Sequence, residues 1–322
     1  MKTPQAPLSP LPEDAERKED ELRIVESLNH HGMFFQQAIY HRFLNYKHAI
    51  GRKNPFKVEE VLCEHPTYFN GHGAADLVAI TKFKAEPHGR AVDVTFVVEC
   101  KKVFPPLNRI VLFGDALRHQ TRLMWESSAT GNGDKAWHDL GWLRFDQEPG
   151  APVCNDGLWL DRKKESESWK ANKDPLYKAA NQVCGHLMGV MSSTRSRALT
   201  AVHFGRTNTR TFFLPIIVTN CPLFVAECPE GLTDFESGEA SGVSLKPVEA
   251  AFYIHPFARI PSDVSDVRND YDDLEGDDME RDKQTILIAR PPALESLLGE
   301  NLQGNDLVNV LYRPLYDQCL ER

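Results

Sequence analysis

Two apolar segments separated by a short polar stretch constrain the fold of this chain most strongly. The segments are AADLVAITKF, residues 74–83, and AVDVTFVVEC, residues 91–100. The stretch between them, KAEPHG, contains Pro87 and Gly89, which are typical residues of turns. This pattern predicts an antiparallel β-hairpin whose second strand is buried and ends abruptly in charged residues.

Three charged side chains meet at one end of this hairpin if its register is symmetric. Side chains two positions apart on a strand point to the same face, so Glu99 and Lys101 are expected side by side. If the hairpin folds symmetrically about Pro87 and His88, Asp76 stands directly opposite Glu99. Directly opposed residues lie about 5 Å apart, so the two carboxylates could share a cation. The turn residues do not fix this register uniquely, and a slip of one residue would place the acids on opposite faces.

Two carboxylates beside an ammonium group suit a divalent metal ion and an attacking water molecule. The alternative is a surface hairpin on which Glu99 and Lys101 form a structural ion pair. A motif of this kind therefore remains a hypothesis until its structural context is seen.

The sequence around these residues resembles the restriction-endonuclease-like, or PD-(D/E)XK, nuclease superfamily. The resemblance rests on Asp76 at the start of one strand and on Glu99, Cys100 and Lys101 at the end of the next. In the order of its elements it extends over roughly residues 19–300. It implies an α/β fold with a restriction-endonuclease-like mixed central sheet flanked by helices.

The resemblance also implies a role for each of these residues. One or two Mg²⁺ ions, for which Mn²⁺ can substitute, would be held by Asp76, Glu99 and the backbone carbonyl of Cys100. Lys101 would orient the nucleophilic water, favour its deprotonation and balance charge on the phosphorus. The family often places a further acidic residue on its first helix, and a Gln on a helix that follows the ExK strand.

The first helix is predicted in EDELRIVESLNHHG, residues 19–32, with Gly32 as its stop. Glu21 is our choice for the acidic residue that completes the metal shell, and Glu26 competes with it. For either residue a solvated helix face is an equally good explanation. The apolar positions of this helix share one stripe: Leu22, Val25 and Leu28.

The second helix is predicted in DPLYKAANQVCGHLMGVM, residues 174–191, and Gln182 near its middle could orient the water or a phosphate. A mid-helix Gln that is merely solvated is the alternative. The apolar residues of this helix recur at helical spacing: Leu176, Ala180, Val183 and Leu187. Further strands are predicted over residues 210–225, broken near Asn220 and Pro222, and over 248–257 and 284–292, followed by a helix over 293–302.

The chain is predicted to form one nuclease domain, residues 19–322, after a Pro-rich disordered tail, residues 1–18. A large insertion over residues 104–173 follows the ExK strand, and a dense acidic run over 262–283 predicts a flexible loop. All five tryptophans lie in the insertion or at its edges. For most of these rings we favour a small satellite core, and stacking on unpaired bases or a partner interface is the alternative.

The composition is that of an ordinary globular protein, with 41% hydrophobic and 26% charged residues. No apolar run approaches the ~20 residues needed to cross a bilayer, and the first residues lack the apolar core of a secretory signal. The seven cysteines are scattered without paired CxxC spacing. This usage favours a reducing compartment, so a cytoplasmic location is expected.

The net charge of −9 has the wrong sign for a protein that binds DNA tightly by itself. We therefore expect modest intrinsic affinity for DNA and a protein partner that controls activity or delivers substrate. A homo-oligomer is also compatible with the sequence. Basic clusters that could line a cleft are Lys101–Lys102, Arg162–Lys164, and Arg195, Arg197, Arg206 and Arg210.

Together these features predict a Mg²⁺-dependent endonuclease that hydrolyses phosphodiester bonds in DNA. By resemblance, such chains often act in bacterial restriction or anti-phage defence, where a partner switches on the effector subunit. The alternative is an inactive nuclease-fold subunit that binds or scaffolds within a larger nucleic-acid complex. A third interpretation is a nuclease directed at RNA.

Overall fold

The computed structural model describes the greater part of the helices and strands that surround the predicted site. The described residues are 12–48, 57–66, 74–85, 90–103, 108–114, 125–128, 137–139, 151–162, 168–203, 209–227, 237, 241–256 and 283–298. The acidic loop predicted over 262–283 lies outside them except for Lys283, and so do residues 1–11 of the predicted tail and the turn of the hairpin.

Nine strands within the described residues form one mixed sheet. They are β1 (Lys57–Pro66), β2 (Ala74–Ala85), β3 (Arg90–Lys101), β5 (Trp125–Ser128), β6 (Trp137–Asp139), β7 (Val153–Cys154), β10 (Thr209–Thr219), β13 (Ala250–Pro256) and β14 (Lys283–Ala289). Their order across the sheet is β1-β2-β3-β10-β14-β13-β7, and β5 pairs with β10 and with β6. The strands predicted for the hairpin and for the later apolar runs are confirmed.

The direction of the central strands brings several strand ends to one edge of this sheet. β3 and β10 are parallel, with pairs that run from Ala91 and Thr209 to Lys101 and Thr219. β10 and β14 are also parallel, whereas β2 and β3 are antiparallel, as the hairpin requires. The carboxyl ends of β3, β10 and β14 therefore share an edge with the start of β2.

Five further strands form a second mixed sheet within the described part of the chain. Its order is β12 (Ser244–Val248), β11 (Leu223–Glu227), β4 (Arg109–Phe113), β8 (Asp156–Arg162) and β9 (Trp169–Asn172). β4 follows β3 along the chain and β11 follows β10, and the two new strands are again parallel. At the crossing, the Asn220 side chain accepts from Val103 N at 2.7 Å and donates to Val103 O at 3.1 Å.

Helices cover both faces of the main sheet. They are α1 (Pro12–His31), α2 (Met33–His48), α3 (Asp174–His203) and α4 (Pro291–Leu298). On β3, Phe96 packs against Phe43 of α2, with ring centroids 6.3 Å apart. The next residue, Val97, points to the opposite face and shares a core cluster with Val183 of α3. The molecule is therefore a mixed α/β structure with two mixed sheets and few helices.

The apolar positions predicted for α3 are all buried: Leu176, Ala180, Val183 and Leu187. The start of α3 also packs on the second sheet at Gly157. A Cβ atom at Gly157 would lie 2.7 Å from side-chain atoms of both Leu112 and Leu176, so this contact requires a glycine. The same core cluster contains Trp159 of β8. Trp159 thus belongs to the main core, and a satellite core is the wrong prediction for this ring because the insertion strands pair directly with β10 and β11.

The amino-terminal helix departs from its prediction in two respects. It begins at Pro12, so the prediction of a disordered tail as far as residue 18 is wrong over the described residues. It ends at His31, and Gly32 follows with a φ of 83°, as predicted for the stop. The apolar stripe does not form a core contact, since Leu22 is 69% exposed and Val25 is 47% exposed. The reason is that α1 packs mainly against α2, which itself covers the sheet.

Outside the predicted insertion, three described elements have no counterpart in the prediction, namely α2, β1 and β12. β1 pairs antiparallel with β2 and extends the hairpin to three strands. α2 then packs on β1, β2 and β3. None of the described helices is both long and apolar enough to span a membrane.

Candidate active site at the carboxyl end of strand β3

The register of the hairpin agrees with the symmetric arrangement expected from its sequence. The pairing runs in step from Ala85 opposite Arg90 to Leu77 opposite Val98. The paired residues end there, and one further step of the same register would bring Asp76 opposite Glu99. At this point Oδ2 of the Asp76 carboxylate accepts a hydrogen bond from the backbone N–H of Cys100 at 2.7 Å.

Lys101 joins this pair of acids from the same strand. Its Nζ lies 2.6 Å from Oε1 of Glu99, the residue two positions earlier on the same face. Nζ also donates to Oε1 of Gln182 on α3 at 2.9 Å. The structure therefore brings together Asp76, Glu99, Lys101 and Gln182, although Gln182 lies 81 positions further along the chain than Lys101.

His186 is a fifth member of this cluster that the sequence analysis missed. Its Nε2 lies 3.7 Å from Oε2 of Glu99, and the two side chains are only 5% and 6% exposed. His186 follows Gln182 by one helical turn, so both side chains lie on the same face of α3. Glu99 is thus flanked by Lys101 at one oxygen and by His186 at the other. The spacing of four residues after Gln182 is the sequence signal that could have identified it.

Burial of the two acids is only partly compensated within the cluster. Burial, and then the charge of Glu99, raise the pKa of Asp76 to about 6, while the Cys100 N–H, Lys101 and His186 act in the opposite direction. Burial likewise raises the pKa of Glu99, and Lys101 lowers it. Because both pKa values remain raised, an additional positive charge would stabilise the pair of carboxylates.

The helix that reaches this edge from the amino-terminal part of the chain is α2. The Nε2 atom of Gln36 donates to the backbone carbonyl of Asp76 at 3.2 Å. A Cβ atom at Gly32, just before α2, would lie 3.4 Å from Cβ of Lys102. The first turn of α2 therefore packs against the strand ends that carry the cluster.

Glu21, the acidic residue expected to complete the site, is placed elsewhere. Its carboxylate pairs with Nε of Arg17 at 3.2 Å on the exposed surface of α1. Glu26, the competing residue, is exposed as well. This placement does not favour either residue as a metal ligand, and the reason is that α1 lies outside α2 rather than against the sheet.

The donor atoms at the site are suited to Mg²⁺. Among the described residues, no group of three or more His, Cys, Asp or Glu side chains is arranged to hold a metal ion. Mg²⁺ does not require such a group, because it is usually bound by one or two carboxylates together with water and substrate phosphates. Asp76 and Glu99 supply two carboxylates, and the Cys100 carbonyl is a further hard oxygen on the same strand end. The residues present therefore fit Mg²⁺ by donor type.

Comparison with known proteins gives no match, since no family model, no curated protein and no solved structure is similar to this chain. The site is thus defined by the geometry of its own side chains.

A second polar cluster lies beneath the same helix. His255 of β13 is fully buried, and its Nε2 lies 3.1 Å from Oδ1 of Asn181 on α3. The ring packs edge-on against Tyr177, with centroids 4.8 Å apart, and lies 5.8 Å from the ring of Tyr253. Burial lowers the pKa of His255 to about 4. This histidine is therefore neutral at physiological pH.

Proposed function

We propose that the protein is a metal-dependent nuclease that hydrolyses phosphodiester bonds in DNA, with a restriction-endonuclease-like site. The observation that carries the proposal is the position of Lys101. Its ammonium group is held by Glu99 at 2.6 Å and by Gln182 at 2.9 Å, at the edge where Asp76 stands opposite Glu99. The PD-(D/E)XK resemblance implies that these three motif residues act together at one site, and their proximity supports the proposal.

Asp76, Glu99 and the Cys100 carbonyl would hold Mg²⁺, or Mn²⁺ in its place. When bound, the ion would act as a Lewis acid toward a phosphoryl oxygen and lower the pKa of a bound water. The raised pKa values of the two acids support this assignment, because a bound cation would offset the burial that raises both of them and the charge of Glu99 that adds to the rise at Asp76.

Lys101 has three N–H donors, and the bonds to Glu99 and Gln182 fix the direction of its ammonium group. A remaining donor can bind the attacking water or a non-bridging phosphate oxygen. The positive charge then stabilises the additional negative charge that develops on the phosphate in the transition state. Gln182 acts as a positioning residue in this scheme, because its side-chain oxygen accepts a hydrogen bond from Lys101 and so acts through that residue.

His186 would position Glu99 by occupying the space beside its second oxygen. Partners that surround a ligating carboxylate fix its orientation, and their loss typically lowers metal affinity or activity by about 10-fold to 100-fold. The 3.7 Å separation and the burial of both side chains support this role.

The acidic character of the chain shapes the rest of the proposal. With a net charge of −9, phosphate neutralisation can supply only a small part of DNA affinity. A protein partner in the cytoplasm that delivers the DNA, as in a restriction or anti-phage effector, would compensate for this. The thiols of Cys100, Cys154, Cys184 and Cys221 are free, which suits such a compartment.

The second candidate function is an inactive nuclease-fold subunit that binds nucleic acid or scaffolds a complex. The observation that favours it is the lack, among the residues in the described ranges, of a group of three metal-ligating side chains. Cleavage by the purified chain distinguishes the two functions.

The test is cleavage of plasmid DNA by purified full-length protein with Mg²⁺ or Mn²⁺, with EDTA as the negative control. We expect Lys101→Ala and Glu99→Ala each to lower cleavage by at least about 1,000-fold, because each removes a charged group at the reacting phosphate. Lys178→Ala, an exposed lysine one turn before Gln182, is the matched control and should cleave like the wild type. Circular dichroism confirms that each variant is folded.

Retained cleavage by Lys101→Ala would overturn the assigned chemistry. If wild-type protein leaves DNA intact but digests labelled RNA, the site stands and the substrate class changes. If neither is cleaved in the presence of either metal ion, the scaffold function is favoured.

A further inference from the structure

The two described tryptophans of the second sheet differ sharply in their surroundings. Trp159 on β8 is 8% exposed and lies in the core, whereas Trp169 on β9 is 42% exposed. Within the described sheet β9 is an edge strand, so the ring of Trp169 is accessible from solvent. An exposed indole at a sheet edge contributes little to the core, and its neighbours indicate what it can bind.

Two arginines lie close to the ring of Trp169. The guanidinium carbon of Arg109 is 5.7 Å from the ring centroid, and that of Arg162 is 5.9 Å away. Both distances are within the ~6 Å range of a cation–π contact. Arg162 is the direct cross-strand partner of Trp169, while Arg109 reaches the ring from β4, two strands away.

The strand register places these three side chains on one face of the second sheet. Arg109 is paired with Leu160, and Arg162 with Trp169. Leu160 and Arg162 are two positions apart on β8 and therefore share a face. Asp161 lies between them and points to the opposite face. The face that carries Trp169 thus presents two cations beside one aromatic ring, a set that we call the Trp169 patch.

The Trp169 patch lies at the end of the second sheet where β4 begins, and β4 is the strand that follows β3 along the chain. Arg109 is the first residue of β4, and Arg162 with Trp169 is the last pair at the same end of the sheet. Arg109 follows Lys101 by eight residues, so the distance between their Cα atoms is at most about 29 Å. A single strand of a few nucleotides can extend over this distance, since single-strand binding sites commonly hold about 4 to 16 nucleotides.

We propose that the Trp169 patch binds single-stranded DNA, with an unpaired base stacked on Trp169 and the flanking phosphates bound by Arg109 and Arg162. The inference rests on the proposed nuclease function and assigns it a substrate with an unpaired segment beside the scissile bond. Stacking requires a base that is not already stacked and paired within a duplex. It also supplies affinity that does not depend on overall charge, which suits a chain with a net charge of −9.

The test measures binding without cleavage. A fluorescently labelled single strand of about 12 nucleotides and the matching duplex are titrated with full-length protein in EDTA, and binding is followed by anisotropy. We expect Trp169→Ala to weaken single-strand binding by about 5-fold to 150-fold and duplex binding by less than about 2-fold. Trp169→Phe should retain most of the affinity, because it keeps an aromatic face.

Leu245→Ala is the matched control, since Leu245 is also exposed, at 52%, but on the opposite edge strand of the same sheet. It should bind like the wild type. Arg109→Gln and Arg162→Gln should each lower the slope of log affinity against log salt by about 0.7, the value expected for one phosphate contact to a single strand.

Unchanged single-strand binding by a folded Trp169→Ala variant would overturn the proposal. Equal losses for single strand and duplex would overturn it too, because they indicate a surface that binds phosphate rather than bases. Tighter binding of RNA of the same sequence would contradict the assignment to DNA. If Trp169→Ala lowers binding but wild-type protein cleaves nothing, the proposal for the Trp169 patch stands and the nuclease proposal fails. If wild-type protein cleaves DNA but Trp169→Ala binds the single strand normally, only the proposal for the patch fails.

Discussion

The two polar clusters beneath α3 show how differently one helix can accommodate buried polar groups. Consecutive residues of α3 serve the two sites: Asn181 contacts His255, and Gln182 contacts Lys101. The cluster at His255 is held by one amide contact and by aromatic packing, and its histidine is neutral. In the cluster at Lys101, Glu99 contacts Lys101 and His186, and Asp76 accepts from the neighbouring backbone N–H of Cys100.

The electrostatics of the two clusters indicate different purposes. At His255 burial lowers the pKa to about 4, so the ring has no charge that would need a partner. At Asp76 burial raises the pKa to about 6, yet Lys101 and the Cys100 N–H still favour the charged form. A protein that needs only stability has no reason to bury two acids side by side. Perturbed pKa values of this kind are typical of functional sites.

The largest difference between the clusters should appear in catalysis. We expect His186→Ala to lower cleavage by about 100-fold, because Glu99 loses the neighbour that fixes its second oxygen. The Mg²⁺ concentration for half-maximal cleavage should rise as well. In His186→Gln the cleavage rate and this Mg²⁺ concentration should both lie closer to the wild-type values than in His186→Ala. His255→Asn should change the rate by less than about 3-fold. If His186→Ala and His255→Asn lower the cleavage rate equally, the two clusters do not differ in their contribution to catalysis.

The second difference concerns stability against acid. Below a pH of about 6.5 an unfolded chain protonates His255, whereas the folded protein resists protonation until a pH of about 4. The histidine therefore destabilises the fold progressively as the pH falls through this window. The free energy of unfolding should therefore be about 2 kcal/mol lower at about pH 5 than at about pH 7.5. Urea unfolding of the wild type and of His255→Leu at both pH values measures this difference. If His255→Leu loses as much stability as the wild type between the two pH values, the effect does not come from His255.

The smallest expected effect concerns Asp76, whose charge lowers the free energy of unfolding at neutral pH rather than at acid pH. Asp76 has a folded pKa of about 6, above its ordinary value of 3.8, so its charge destabilises the fold at neutral pH and ceases to do so as the pH falls toward 4. Asp76→Asn should therefore be more stable by about 1 to 2 kcal/mol at neutral pH in EDTA. Mg²⁺ should raise the Tm of the wild type and leave that of Asp76→Asn unchanged. A less stable variant would mean that the carboxylate has a structural role.

The elements predicted correctly are those specified by local patterns. The β2–β3 register follows from two apolar runs around one turn, and α3 follows from four apolar positions at helical spacing. These features require no knowledge of distant parts of the chain. The neighbouring positions of Asp76, Glu99 and Lys101 were therefore accessible from the sequence.

The features that were missed depend on contacts between distant segments. The apolar stripe of α1 predicts a helix correctly but cannot show that α2 occupies the sheet face that α1 would need. Glu21 was misplaced for this reason. His186 lies on a predicted helix one turn after Gln182, but its contact with Glu99 depends on how that helix packs against β3. The second sheet was not predicted as a unit, because β4, β8 and β9 come from the predicted insertion before α3, whereas β11 and β12 follow α3 along the chain.

The side chain of Asn220 has a consequence for both proposals. By accepting from Val103 N and donating to Val103 O, it takes the place of a neighbouring strand for one residue. The carboxamide thereby holds the backbone at Val103, two residues beyond Lys101. An aspartate could only accept and an alanine could do neither. If both proposals hold, the placement of the Lys101 site relative to the Trp169 patch would depend in part on a residue that belongs to neither of them.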